Sequence, residues 1–184
     1  MIRTDSCWLG PVWAPLSIAL HAIVLSACTG PISVSTWTSE EARLEDYGSV
    51  RLSVEAGEGV EVDRDGIPFS LLEREATALI QERGYGAGDG RDESVELRLT
   101  ATPERVVRRT WSPDPGYNGY VEREREEGVL SIVATDPIQR FELWRGVSRV
   151  RLPDSGRVFG PSRETAWMHA LVELIARMPA RRSE

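Results

Sequence analysis

The sequence contains no lysine, so all 22 of its basic side chains are arginine. We read this as codon bias rather than as a functional pattern. Cysteine and histidine are nearly as scarce: Cys7, Cys28, His21 and His169 are the whole supply. Two cysteines cannot build a cysteine-ligated zinc site. Positive charge is in deficit, because 29 acidic residues against 22 basic leave a formal charge of −7. Nucleic acid and anionic lipid headgroups both bind proteins electrostatically through a basic footprint, so neither is expected as a charge-driven partner. A membrane-length apolar run is also missing. The densest stretch, Leu16–Leu25, falls short of the roughly 20 residues of a spanning helix. The chain has no internal repeat and no long low-complexity segment.

The start of the chain is patterned. Met1-Ile2-Arg3 supplies a short basic region, the apolar run follows, and it ends in Leu25-Ser26-Ala27-Cys28. A basic start, an apolar core and small residues before a cut form the secretory signature. A leucine, two small residues and a cysteine resemble the lipobox of bacterial lipoproteins. The resemblance implies that the Cys28 thiolate takes a diacylglyceryl group, that a peptidase cuts before Cys28, and that the new amine is acylated. The competing readings are a signal anchor, or an ordinary signal with a chance cysteine; Asp5, His21 and the length of the n-region are the features that speak for them.

Cleavage before Cys28 removes 27 of the 184 residues and leaves 157, enough for one domain with a sizeable core. Cys7 leaves with the signal, so Cys28 is the sole remaining cysteine and no disulfide can form. The excised segment carries one charge of each sign, Arg3 and Asp5, so the charge stays at −7. Each buried methylene of an acyl chain contributes about 0.8 kcal/mol, and two or three chains hold a domain on a membrane durably. Thr29 is not the aspartate that the resemblance associates with inner-membrane retention, so the expected address is the outer membrane, facing the periplasm.

The reading divides the chain into a signal peptide over 1–27, a lipidated cysteine and flexible tether over 28–46, a single domain over 47–180 and a tail over 181–184. Gly48 to Ala56 alternates Val50, Leu52 and Val54 against Arg51, Ser53 and Glu55, a half-buried strand. Val60-Glu61-Val62 is placed as a second short strand. Pro68 to Arg83 is a helix with Phe69, Leu72, Ala76, Leu79 and Ile80 on one face, closed by Gly84. Ser94 to Thr102 is a strand interrupted by Pro103, resuming over Val106 to Trp111. Gly128 to Thr135 and Ile138 to Leu152 continue an antiparallel meander, with a bulge expected near Gly146. Ser162 to Met178 is a second helix, stopped by Pro179. These elements predict an α+β fold: a two-layer sandwich, mostly antiparallel, with two amphipathic helices packed on one face of the sheet.

Three segments together resemble a known family. Leu72-Glu73-Arg74 through Gln81-Glu82-Arg83-Gly84-Tyr85 is similar to its first helix and the turn that closes it. Phe141-Glu142-Leu143-Trp144-Arg145-Gly146 is similar to a strand with the same aromatic–arginine–glycine ending. Leu171 to Pro179 is similar to its closing helix. The family is the bacterial lipoprotein group called domain of unknown function 4136, and the likeness spans Tyr47 to Ala180. The chain departs from it before Gly48, where no Asp-rich opening strand is found. The resemblance implies an envelope lipoprotein of α+β fold, and it carries no activity or catalytic residue with it.

No catalytic constellation, metal site or cofactor site is assigned. His169 and Glu173 lie one helical turn apart, but a single histidine does not make a metalloprotease pair, and a surface pair is the expected reading. No strand–turn–helix nucleophile motif accompanies a serine. Gly84 to Gly90 follows a helix instead of preceding one, so it is no phosphate loop. Asp63-Arg64-Asp65-Gly66 lacks the closing ligands of a calcium loop. Glu122 to Glu127 alternates acid and arginine, which solvates an edge strand and discourages aggregation. The segment Trp111, Asp114, Tyr117, Asn118 and Tyr120 is the candidate partner-binding loop, since aromatics on a stiff polar loop can stack on sugars or anchor a protein. Its plainer alternative is that Trp111 and Tyr120 end the adjoining strands and pack into the core. The functional expectation is a membrane-tethered envelope module, binding or structural, with a protein, lipid or glycan partner. The alternative is an envelope hydrolase acting on peptidoglycan or glycan through two carboxylates.

Overall fold

A computed structural model of the chain describes residues 32–58, 60, 66–88, 94–112, 119–153 and 162–182. The signal segment, Cys28, the expected strand at Glu61-Val62, and Asp114, Tyr117 and Asn118 lie outside the described residues. The fold is α+β. Six strands form one mixed sheet: β1 (Ser33–Thr38), β2 (Ser49–Ala56), β3 (Gly86–Ala87), β4 (Val95–Trp111), β5 (Tyr120–Thr135) and β6 (Glu142–Arg151). Two helices accompany them, α1 (Phe69–Glu82) and α2 (Arg163–Ala176). Across the sheet the order is β1-β6-β5-β4-β2-β3.

β4, β5 and β6 are the expected antiparallel meander. β2 instead runs parallel to β4, and β3 parallel to β2. The cause is α1, which carries the chain from the end of β2 back to the start of β3 and β4; a helical crossover returns a strand parallel to its predecessor. Period-two patterning sets the register. In β4, Val95, Leu97, Leu99 and Ala101 are buried while Glu96 and Arg98 are exposed. Leu130, Ile132 and Ala134 of β5 join them in one core with Trp144, Leu72, Ile80, Trp167 and Leu174. Each such large apolar side chain contributes about 2 kcal/mol on burial.

The helix ends follow local chemistry. Gly84, at φ 90°, sits in the left-handed region after α1, and Gly84 N–H and Tyr85 N–H donate to the carbonyls of Gln81 and Ile80 at 2.9 and 3.4 Å. That is a Schellman closure, as the glycine predicts. Ser162 caps α2 by accepting the Thr165 amide at 3.0 Å.

Four expectations are corrected. The tether expected over 28–46 is a strand from Ser33 onward, paired with β6, and Ile32 and Val34 pack on the core. Its sequence, SVSTWT, is too polar to announce a strand by pattern. The expected tail is tied down at its start: Arg181 and Arg182 amides donate to the carbonyls of Arg83 and Glu45 at 3.0 and 3.3 Å. β4 does not break at Pro103. The Gly57 amide donates to the Ala101 carbonyl, so the odd-numbered backbone groups of β4 face β2, and β2 has ended before Pro103. The amide hydrogen that proline lacks therefore has no strand to meet. The bulge lies at Ala134/Thr135 opposite Leu143, away from Gly146. Gly146 is glycine for another reason: a Cβ there would sit 2.6 Å from Leu174 Cδ1 and 2.5 Å from Trp144 Cη2.

Candidate functional site

β4 and β5 pair along their whole length, from Glu96–Thr135 out to Trp111–Tyr120. Their neighbours stop earlier: β2 ends at Ala56, opposite Ala101, and β6 ends at Arg151, opposite Glu127. Beyond both rungs, residues 105–111 and 120–126 pair only with each other among the described strands. The result is a two-stranded ribbon reaching about 24 Å past the sheet at about 3.4 Å per residue. The Ser112 amide adds one more bond, to the Gly119 carbonyl at 3.0 Å.

An isolated hairpin is marginal in water, so what holds this one matters. Along its faces, Arg109 pairs with Glu122 at 2.7 Å and Arg105 with Glu124 at 3.8 Å. Such exposed pairs contribute about 0–1 kcal/mol each. The root is tied more firmly. Both terminal nitrogens of Arg163, the first residue of α2, donate to the two carboxylate oxygens of Glu126 at 2.8 Å. These hydrogen bonds hold the Glu126 carboxyl below its ordinary pKa, against the opposing effect of burial. A bidentate arginine–carboxylate pair is geometrically specific as well as strong.

The tip carries the predicted aromatics. Trp111 and Tyr120 face each other across one rung, edge to face, with ring centroids 5.3 Å apart and planes at 84°. They end their strands, as the plainer alternative had it, but they do not enter the core: Trp111 is 56% exposed and Tyr120 65%. Val107, on the same side of β4, is 60% exposed. The ribbon thus presents three large apolar side chains to solvent. Val107 was missed because its pattern marks a strand without marking where neighbouring strands stop.

Away from the ribbon, the structure separates other candidates. Trp144 is buried in the core. A cavity of about 200 Å³ lies between α1 and β2, floored by Leu52, Ile80 and Tyr85 and rimmed by Thr77, Gln81 and Glu73. A second, of about 190 Å³, is lined by Arg51, Ser53, Glu96, Arg98 and Thr135. Each holds one carboxylate, whereas hydrolysis of a glycosidic bond needs a facing pair. Among the described residues no group of three or more His, Cys, Asp or Glu side chains is placed to hold a metal.

No family model and no curated protein matches the chain. Solved structures do align with it. The PelC dodecamer from Paraburkholderia phytofirmans matches over 83% of this chain and 100% of that one, at 11% identity and a TM-score of 0.48. A PDZ domain protein from Parabacteroides distasonis matches over 89% of this chain and 40% of that one, at 11% identity and a TM-score of 0.44. These likenesses are too distant to carry a functional argument.

Proposed function

We propose that the chain is a non-catalytic envelope module, held on a membrane by lipid at Cys28 and offering the β4–β5 ribbon to a protein, lipid or glycan partner. The observation that carries this reading is the exposed Trp111–Tyr120 pair at the end of a ribbon that no other described strand covers. Aromatic rings are costly to leave in water, and they dominate contacts where they are found exposed together. The lipobox-like Leu25-Ser26-Ala27-Cys28 supplies the address, which is the outer membrane facing the periplasm. Likeness to the lipoprotein group domain of unknown function 4136 belongs to the same proposal.

The architecture that serves this role is a two-layer sandwich with both helices on one face. It is supported by the side-chain contacts: a Cβ at Gly128 would meet Trp167 of α2 at 2.8 Å, and α1 shares its buried Leu72 and Ile80 with the same core. The opposite face carries Glu96, Arg98 and Arg51, which are exposed.

Two measurements test the reading. Labelling with a radioactive fatty acid should mark the wild type and leave Cys28→Ala unmarked; label on the variant, or none on the wild type, removes the anchor. Photo-crosslinking in intact cells from an amino acid placed at Tyr120 should give a reproducible adduct. A ribbon that crosslinks to nothing removes the binding role.

A further inference from the structure

We infer that the Trp111–Tyr120 tip is a membrane-interface contact: the ribbon points toward the bilayer that holds Cys28 and seats its aromatic pair among the lipid headgroups. This rests on the reading of Cys28 as the lipid attachment site, and it names the bilayer as the occupant of the exposed tip. The argument is one of direction. β1 runs antiparallel to β6, with Ser33 opposite Arg149 and Thr38 opposite Trp144. β6 in turn places Arg149 opposite Val129 and ends opposite Glu127, at the root of the ribbon. The chain that precedes Ser33 therefore enters the sheet from the ribbon end, and Cys28 lies only five residues before it.

The lengths agree with the direction. Ser33 is level with Val129, and Tyr120 lies nine residues further along β5. At about 3.4 Å per residue the tip stands about 30 Å beyond that level. Five residues of chain, however arranged, reach at most about 18 Å. A lipid on Cys28 therefore holds the sheet close enough for the tip to reach the bilayer surface, with length left over for tilt. Trp37, the other exposed tryptophan among the described residues, lies toward the opposite end of β1, farther from that surface.

The chemistry of the tip suits the interface. Tryptophan and tyrosine concentrate at the headgroup level, where an apolar ring body and a polar N–H or O–H are both satisfied. The chain as a whole carries −7 and is repelled by anionic headgroups. The ribbon is the exception. Its described strands carry five arginines and five glutamates over residues 104–109 and 122–127, so they bring no net charge to such a surface, and the sequence between them adds the single acid Asp114. Val107, on the ring side of the ribbon, extends the apolar contact.

The test uses the lipidated full-length product, purified from a bacterial host and reconstituted into phosphatidylethanolamine–phosphatidylglycerol vesicles with brominated acyl chains. After cleavage the chain keeps Trp37, Trp111, Trp144 and Trp167, of which the last two are buried. Brominated lipid should quench part of the wild-type fluorescence. Trp111→Phe should abolish that quenching, Trp37→Phe should retain it, and Trp111→Phe combined with Tyr120→Trp should restore it from across the same rung. Fatty-acid labelling of the same preparations keeps the two readings apart. Labelled protein whose quenching is unchanged by Trp111→Phe, or lost on Trp37→Phe, overturns the tip contact and leaves the anchor standing. Protein that takes no label overturns the anchor and the contact with it.

Discussion

The hydroxyl of Tyr47 donates a hydrogen bond to Oδ2 of Asp136 at 2.5 Å, across 89 positions of sequence. The other oxygen of Asp136 accepts the amides of Ile138 and Gln139 at 2.8 and 2.7 Å, which shapes the turn from β5 to β6. One carboxylate thus joins the entry to β2 with the far turn of the meander. Removing it leaves a partly buried hydroxyl and two turn amides without their acceptor, and hydrogen bonds to a charged group contribute about 1.5–3 kcal/mol. Asp136→Ala should lower the unfolding free energy by about 3 kcal/mol in urea denaturation, and Tyr47→Phe by about 1 kcal/mol. Equal losses would mean that the turn amides do not depend on the carboxylate.

The same bond sets a pH window. The Tyr47 hydrogen bond, with the Gln139 amide, holds the Asp136 carboxyl below the ordinary value. A depressed folded pKa gives stability that is present above the unfolded value, about 3.9, and is lost as pH falls through the folded one. Burial first, then the bond to Asp136, pushes the Tyr47 hydroxyl up to about 12. A raised folded pKa gives stability present below the unfolded value, about 10, and lost as pH rises toward the folded one. Tyr47→Phe should therefore flatten the alkaline limb of the stability curve, measured by urea denaturation from neutral pH upward. A limb as steep as the wild type's would assign the alkaline loss to other groups, Tyr85 among them.

Gly128 and Gly146 are predicted to resist substitution for reasons of space. A Cβ at Gly128 would lie 2.8 Å from Trp167 Cη2 and 3.1 Å from Leu152 Cδ2; one at Gly146 would meet Leu174 and Trp144 at 2.6 and 2.5 Å. Overpacking of this kind costs about 1–3 kcal/mol. Gly146→Ala should lower the melting temperature, and Leu174→Ala in the same chain should recover part of the loss. A fully additive double variant would show that the two positions do not share the space.

Ser148 gives the opposite sign. It is fully buried, and its hydroxyl has no hydrogen-bond partner among the described groups. A buried hydroxyl left unbonded costs about 1–3 kcal/mol. Ser148→Ala should leave stability unchanged or raise it by up to about 1 kcal/mol, whereas most core truncations lower it. A clear loss in urea denaturation would show that the hydroxyl is satisfied.

The sequence makes α1 and α2 legible because their apolar residues recur at helical spacing, and Gly84 and Ser162 mark termini with their own chemistry. β2, β4 and β6 are legible from alternation. β1 is not, since its core-facing Val34 is followed on that face by Thr36 and Thr38, while its largest apolar residue, Trp37, is exposed. Pro103 misleads for a tertiary reason: whether a proline breaks a strand depends on whether a neighbour faces its nitrogen, and β2 ends at Ala56. The same cause hides the exposure of Trp111 and Tyr120. Their residue types mark them as candidates, yet their solvent contact is decided by where β2 and β6 stop, which no local pattern in β4 or β5 records.

The root of the ribbon makes the last prediction. Arg163 stands at the first position of α2, where the partial positive charge of a helix N-terminus disfavours a cation. Glu126 offsets that by pairing with it through two bonds at 2.8 Å. The pair also fastens β5 to α2 at the point where the ribbon leaves β6, whose last rung sets Arg151 opposite Glu127 and whose next residue, Leu152, donates its amide to the Glu126 carbonyl at 2.9 Å. Glu126→Gln removes the charge, keeps the shape, and leaves the arginine near the helix terminus without its carboxylate. Partly buried charged pairs lose about 1–3 kcal/mol on such a change. Because Arg163 holds the Glu126 carboxyl low, the wild type should approach the variant as pH falls through that depressed value. Amide hydrogen exchange locates the effect. Protection should fall over 105–111 and 120–126, where each strand pairs only with the other among the described strands, and should persist over 95–101, which β2 also covers. Uniform loss across both halves of β4 would mean that the ribbon and the sheet open as one unit. Unchanged protection at the ribbon would mean that its cross-strand pairs and aromatic tip hold it without α2.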